Sequence, residues 1–138
     1  MLWKRFQEKD PFRYRREILA STAQMIRQRP WTGFGLGTYA TVYPEFASFD
    51  IGLTVDHAHN DWAEWTAEGG VPMLLLMLAV AAVSLRPAIR SGWALGIYAV
   101  LLHSLVDFPL QIPAIAALLF TLLGALWSSV DTQRRSIL

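Results

Sequence analysis

From Val71 to Trp127 the chain carries one acid, Asp107, and two bases, Arg86 and Arg90, in an otherwise largely apolar run. Helices so poor in charge lack the polar face that a helix on a soluble protein needs, so this half is expected to face lipid. The other half differs in kind: residues 1–70 hold eight of the twelve Lys and Arg and nine of the eleven acids, which makes it water-facing. A formal net charge of +1 gives no electrostatic reason to expect nucleic acid as a partner. The absence of cysteine excludes a disulfide framework and a thiolate metal site. Met1-Leu2-Trp3-Lys4-Arg5-Phe6-Gln7-Glu8 lacks the apolar run of a secretory signal.

Three spans can be drawn in the apolar half: Val71 to Leu85, Trp93 to Val106, and about Ile112 to Trp127. The first two fall short of the ~20 residues that cross a bilayer alone, so they are expected in a bundle or with flanking residues included. Arg86-Pro87-Ala88-Ile89-Arg90-Ser91-Gly92 breaks the first from the second, and the prolines of Asp107-Phe108-Pro109-Leu110-Gln111-Ile112-Pro113 predict a tight re-entry turn. Arg86 and Arg90 share a side with Arg134 and Arg135, which the positive-inside rule makes cytoplasmic. Residues 1–70 and the 107–113 turn then face the opposite side. A basic segment on that side needs spans upstream to carry it across, so the chain is expected to be the C-terminal part of a longer polytopic protein. The expected fold is all-α: a partly helical, water-facing region at 1–70 followed by about three transmembrane helices at 71–138.

Within 1–70, Asp10-Pro11 offers a helix start and Pro30 a stop, predicting a helix from about Pro11 to Gln28. Ile18, Leu19, Thr22, Met25 and Ile26 gather on one face and Arg13, Arg16 and Arg27 on another. Arg15 falls in the middle of the apolar face, either snorkelling at the helix start or holding an anion with its guanidinium fork. Trp31-Thr32-Gly33-Phe34-Gly35-Leu36-Gly37-Thr38-Tyr39 follows. Glycines at alternate positions predict a backbone that turns sharply and comes close to something; the spacing is not a dinucleotide fingerprint. The aromatic residues around it suit an interfacial belt or stacking platforms for sugars.

His57-Ala58-His59-Asn60-Asp61 is the densest polar cluster. Asn60 can cap a short helix through Trp62 and Trp65 to Glu68, stopping at Gly69-Gly70, with Pro72 opening the first span. His59 then sits at a helix N-terminus, where the dipole disfavours imidazolium and prepares a general base. Two other readings stay open: His57, His59, Asp61 and Glu64 as metal ligands, or the histidines as interfacial caps.

The run Met25 to Tyr39, then Tyr43-Pro44, His57 to Trp62, Glu68-Gly69-Gly70 and His103-Ser104-Leu105-Val106-Asp107-Phe108-Pro109-Leu110 resembles, in order and spacing, the C-terminal half of the bacterial O-antigen ligase and polymerase superfamily. One departure is Met73, where those proteins usually carry glycine. The resemblance implies a polytopic glycosyltransferase of the bacterial inner membrane, with residues 1–70 as a periplasmic loop region bearing the catalytic motif and 71–138 as C-terminal transmembrane helices, that moves a glycan from an undecaprenyl-diphosphate carrier to a hydroxyl of lipid A core, a polysaccharide or a protein. By the same resemblance His59, followed by Asn60, corresponds to the essential histidine, and Arg15 or Arg16 to a ligand of the carrier diphosphate. Such a reaction needs a base for the attacking hydroxyl and positive charge for the leaving diphosphate; it would invert the anomeric centre and need no metal or cofactor. Asp61 or Asp56 would orient the imidazole, and Glu68 would be structural. The candidate site is thus His59, Asn60 and Asp61 for catalysis, with Arg15, Arg16, His57, Gly35 and Gly37 for substrate. The other functional class open to these residues is a non-catalytic membrane fragment that binds lipid-linked glycan or packs against a partner.

Overall fold

The computed structural model describes residues 13–48, 54–89 and 91–135. All regular structure among them is helical: α1, Arg13–Gln28; α2, Tyr39–Val42; α3, Asp61–Ile89; α4, Leu95–His103; and α5, Pro113–Arg135. Single 3-10 turns at Tyr43–Glu45, Gly92–Ala94 and Pro109–Gln111 lie between them.

The start that Asp10-Pro11 predicts for α1 lies outside the described residues. Its end follows from Pro30, which disfavours helical geometry in the residue before it, and α1 stops at Gln28. The buried face is Ile18, Ser21, Thr22 and Met25, spaced by threes and fours as one side of a helix requires. Ile18 and Met25 join Tyr39, Tyr43, Ala58 and Ala67 in a first core. The Thr22 hydroxyl donates to the Ile18 carbonyl at 2.8 Å and lies 2.7 Å from the Tyr39 hydroxyl, so neither polar group is buried without a partner. Arg15 is exposed, not embedded in the apolar face as its register suggested. Burial on α1 begins one turn later, and the guanidinium reaches outward to the Val106 carbonyl at 3.2 Å.

Helix α3 is two helices joined at a break. Asn60 caps the first, accepting the Ala63 N–H at 2.9 Å, a contact worth about 1 kcal/mol. Gly70, with φ 71° and ψ −172°, ends it. The freed carbonyls of that last turn are taken up by the glycine loop: Phe34 N–H donates to Ala67 at 3.1 Å and Gly35 N–H to Glu68 at 2.9 Å. Val71 N–H, first of the second segment, donates to Pro30 at 2.7 Å. A side chain at Gly70 would strike the Trp31 carbonyl at 2.6 Å, and one at Gly33 would land on the Glu68 carbonyl. What the glycines come close to is therefore this break. Because Arg15 meets the 104–107 turn beside Asp61 while Pro30 meets Val71, α1 lies alongside the first segment of α3 and runs the same way.

The second segment continues to Ile89, so the interruption expected from Arg86 onward falls only at its end. Pro87 removes one hydrogen bond in the last turn, where the loss is small, and Ala88 is packed against Ala94 and Ile97. Helix α4 has nine residues, about 13 Å at 1.5 Å per residue, less than half of the ~30 Å hydrocarbon layer. Among the described residues α3 is the one helix long and apolar enough to cross a membrane, and the apolar part of α5 is Pro113–Ser128. Of the three spans expected, one is matched by a helix of that length among the described residues. Ser104 to Asp107 do not extend α4 because their backbone is used elsewhere: the Ser104 and Asp107 carbonyls accept the Asp61 N–H at 2.9 and 3.3 Å. A second core of Ala88, Ala94, Ile97, Leu110, Leu119, Leu123 and Leu126 joins α3, α4 and α5. Leu75, Leu76, Val83, Leu118 and Phe120 are exposed, an apolar surface that water does not favour.

Candidate active site

Residues 57–61 cross the start of α3, and each of them has a partner. Glu64, one turn into the helix, accepts the Ala58 N–H at 2.7 Å with one carboxylate oxygen and lies 3.0 Å from His57 Nδ1 with the other. Asn60 caps the helix and donates its amide to Leu105 at 2.8 Å. Asp61 is fully buried, and its Oδ2 accepts the Leu110 N–H at 2.9 Å. Between these anchors stands His59, the one non-glycine residue with positive φ among the described residues, at 52°. Such a conformation costs about 1–3 kcal/mol and persists only where the surroundings over-determine it. Here the clamp on 57–58 and the cap on 60–61 do so, and the imidazole is lifted out toward the 104–108 turn.

On that turn waits Asp107. Its Oδ1 is 3.3 Å from His59 Nδ1 and accepts the Phe108 N–H at 3.1 Å. Its Oδ2 is 4.0 Å from His103 Nε2. Partial burial pushes the Asp107 carboxyl up, but the hydrogen bonds from His59 and Phe108 and the charge of Arg15 outweigh it and hold the group below its ordinary range. A carboxylate can only accept, so His59 Nδ1 carries the hydrogen of this pair and Nε2 is the nitrogen that can accept one. Phe108 walls the site: its ring stacks on His57 at 4.6 Å and meets His59 edge-on at 5.1 Å. Trp62 donates its indole N–H to the Ser104 hydroxyl at 2.7 Å. Next to it, a cavity of about 110 Å³ is lined by apolar side chains that include Trp62, Trp65, Met73, Leu101 and Leu119.

The residues singled out in the sequence fall into three groups. His57, His59, Asn60 and Asp61 share the start of α3, and Arg15 joins them through Val106. Arg16, next to it, is exposed. Gly35 and Gly37 lie elsewhere, at the far end of the first α3 segment, some seven residues or about 10 Å along the helix from Asp61. The Gly35 N–H is already engaged by Glu68. Asp61 does not orient the imidazole; it is turned to Leu110, and Asp107 holds the place expected for it or for Asp56. Nor do His57, His59, Asp61 and Glu64 converge as a metal set, since each of the first three has a different partner. Among the described residues no three His, Cys, Asp or Glu are gathered to hold an ion. Asp107, Phe108 and the clamping role of Glu64 were missed. The available signal was Asp107 itself, the lone acid in a long apolar stretch.

A model of the O-antigen ligase family matches residues 1–78, more than half of the chain. The chain belongs to the O-antigen ligase family. This is a family of membrane-integral enzymes, which accounts for the exposed leucines of α3. The region matched to the O-antigen ligases carries Arg15, the glycine loop, His57 to Asp61 and the break at Gly70; Asp107 and its turn lie beyond it. No curated protein and no solved structure matches this chain.

Proposed function

We propose that this chain supplies the reacting centre of a glycan ligase or polymerase that transfers a glycan from an undecaprenyl-diphosphate carrier to a hydroxyl acceptor, with inversion at the anomeric carbon. The observation that carries this reading is the bond between His59 and Asp107, with Arg15 of α1 bonded to the same turn at Val106. His59 Nε2 takes the proton of the acceptor hydroxyl as its oxygen bonds to the anomeric carbon. The bond from that carbon to the diphosphate oxygen breaks on the opposite face, and the electron pair leaves with the diphosphate. Asp107 fixes the tautomer and steadies the imidazolium that forms. Arg15 offers a planar fork to the growing phosphate charge. The apolar cavity beside Trp62 suits a hydrocarbon portion of the carrier.

Lipid A core, a growing polysaccharide or a protein can provide the acceptor oxygen. In this reading residues 1–70 and the 107–113 turn are periplasmic, and Arg86, Arg90 and the last residues cytoplasmic. Transfer from a purified undecaprenyl-diphosphate-linked glycan, measured in membranes, tests it. His59→Ala is expected to lower the rate by about 10²–10⁴-fold, as loss of a general base does, while donor still binds. A variant as fast as the wild type would contradict the assignment.

A further inference from the structure

The point at which α3 becomes apolar is tied to the loop before it. Val71 N–H donates to the Pro30 carbonyl at 2.7 Å, and the Gly70 backbone passes so close to Trp31 that a single added carbon would strike its carbonyl. Loop 30–37 is therefore held at the level where the membrane-capable segment begins. Two large apolar side chains on it point away from the fold: Trp31 is 71% exposed and Leu36 69%. They are not exposed for want of a core, because Phe34 between them packs edge-on against Phe46 at 5.5 Å. Arg27 and Arg29, at the end of α1, are exposed beside the loop, and the Arg29 guanidinium lies 4.7 Å above the Phe34 ring.

We propose that this loop is a membrane-interface anchor: Trp31 and Leu36 enter the boundary between headgroups and acyl chains, and Arg27 and Arg29 face the headgroup phosphates. The inference rests on the reading of α3 as a membrane span, since that span fixes the height of the loop. At that height an indole with an apolar neighbour is favoured, because its ring is buried while its N–H stays among polar groups. Guanidinium groups reach the phosphates from the same place. A lipid surface fits the combination of apolar tip, flanking cations and fixed depth. Since α1 runs from this loop to Arg15, the anchor also sets where Arg15 stands relative to the membrane surface.

The chain contains no cysteine, so single labels are clean. Nitroxides would be placed by Trp31→Cys, Leu36→Cys, Leu75→Cys and Thr41→Cys in this chain, in vesicles of phosphatidylethanolamine and phosphatidylglycerol. Power saturation would compare collision with oxygen, which concentrates in lipid, and with a water-soluble nickel chelate. Trp31, Leu36 and Thr41 are exposed, so these substitutions disturb no packing. Labels at 31 and 36 are expected to meet oxygen more than nickel, at a shallower depth than the label at 75, and the label at 41 to behave oppositely. Labels at 31 and 36 as open to nickel as that at 41 would overturn the proposal, and so would shielding from both reagents, which would mean that protein covers the loop. A label at 75 that does not meet oxygen would overturn the membrane reading of α3 itself, a failure distinct from that of the anchor alone.

Discussion

His59 Nδ1 and Asp107 Oδ1, 48 residues apart in the chain, lie 3.3 Å from each other. The two are brought together by backbone: the N–H of Asp61 bonds the carbonyls of Ser104 and Asp107, and the side chain of Asp61 bonds Leu110. Asp61 thus pins the turn that carries Asp107 to the helix that carries His59. The buried carboxylate acts on the site through position.

Arg15 is the residue whose role depends most on geometry. Its guanidinium donates to the Val106 carbonyl at 3.2 Å and its charge favours the ionised Asp107, and a lysine there keeps the charge but loses the fork. Arg15→Lys is expected to slow glycan transfer, whereas Arg13→Lys, on the solvated side of α1, leaves it near the wild-type rate. Initial rates with an undecaprenyl-linked donor check this. Normal transfer by both Arg15→Ala and Arg16→Ala would place the diphosphate elsewhere.

Glu64 is buried and spends both carboxylate oxygens on residues 57 and 58. Glu64→Ala leaves the Ala58 N–H buried without an acceptor, a loss of about 1–3 kcal/mol, and releases the turn that holds His59 at positive φ. Thermal unfolding of the detergent-solubilised protein should show a lower midpoint, and transfer should fall with it. Glu64→Gln, which keeps an oxygen for Ala58, is expected to lie between.

Gly70 and Gly37 both have positive φ, but their surroundings differ. At Gly70 a methyl group meets the Trp31 carbonyl, and at Gly37 it meets nothing within 4 Å. Gly37→Ala is therefore expected to cost about 1 kcal/mol of backbone strain, and Gly70→Ala considerably more, because the loop must part from α3. Unfolding midpoints of the two variants should rank in that order.

What the sequence disclosed was local. The cap at Asn60, the stop at Gly69-Gly70 and the end of α1 before Pro30 each depend on residues within a turn of one another. The glycine loop announced a close approach without naming its object, since the Glu68 and Trp31 carbonyls it meets belong to the long-range fold. The length of α4 was not legible, because Leu105 and Val106 are as apolar as the residues before them, while the backbone acceptors of this turn are taken by Asn60 and Asp61. Asp107 was visible as a lone acid in an apolar stretch. Its partner was not, because nothing local links it to His59, and Asp61, nearer in sequence, looked the better candidate.

The pairing itself is most directly tested by a double-mutant cycle, with glycan transfer measured in membranes for His59→Ala, Asp107→Asn and the two combined. If Asp107 acts by orienting His59, its loss matters only while the imidazole is present, and effects of residues that act as a unit do not add. The double variant is then expected to be no slower than His59→Ala alone, with Asp107→Asn by itself well below the wild type. Losses that multiply, so that Asp107→Asn slows His59→Ala by the same factor as it slows the wild type, would show that the two residues work independently and would contradict the account.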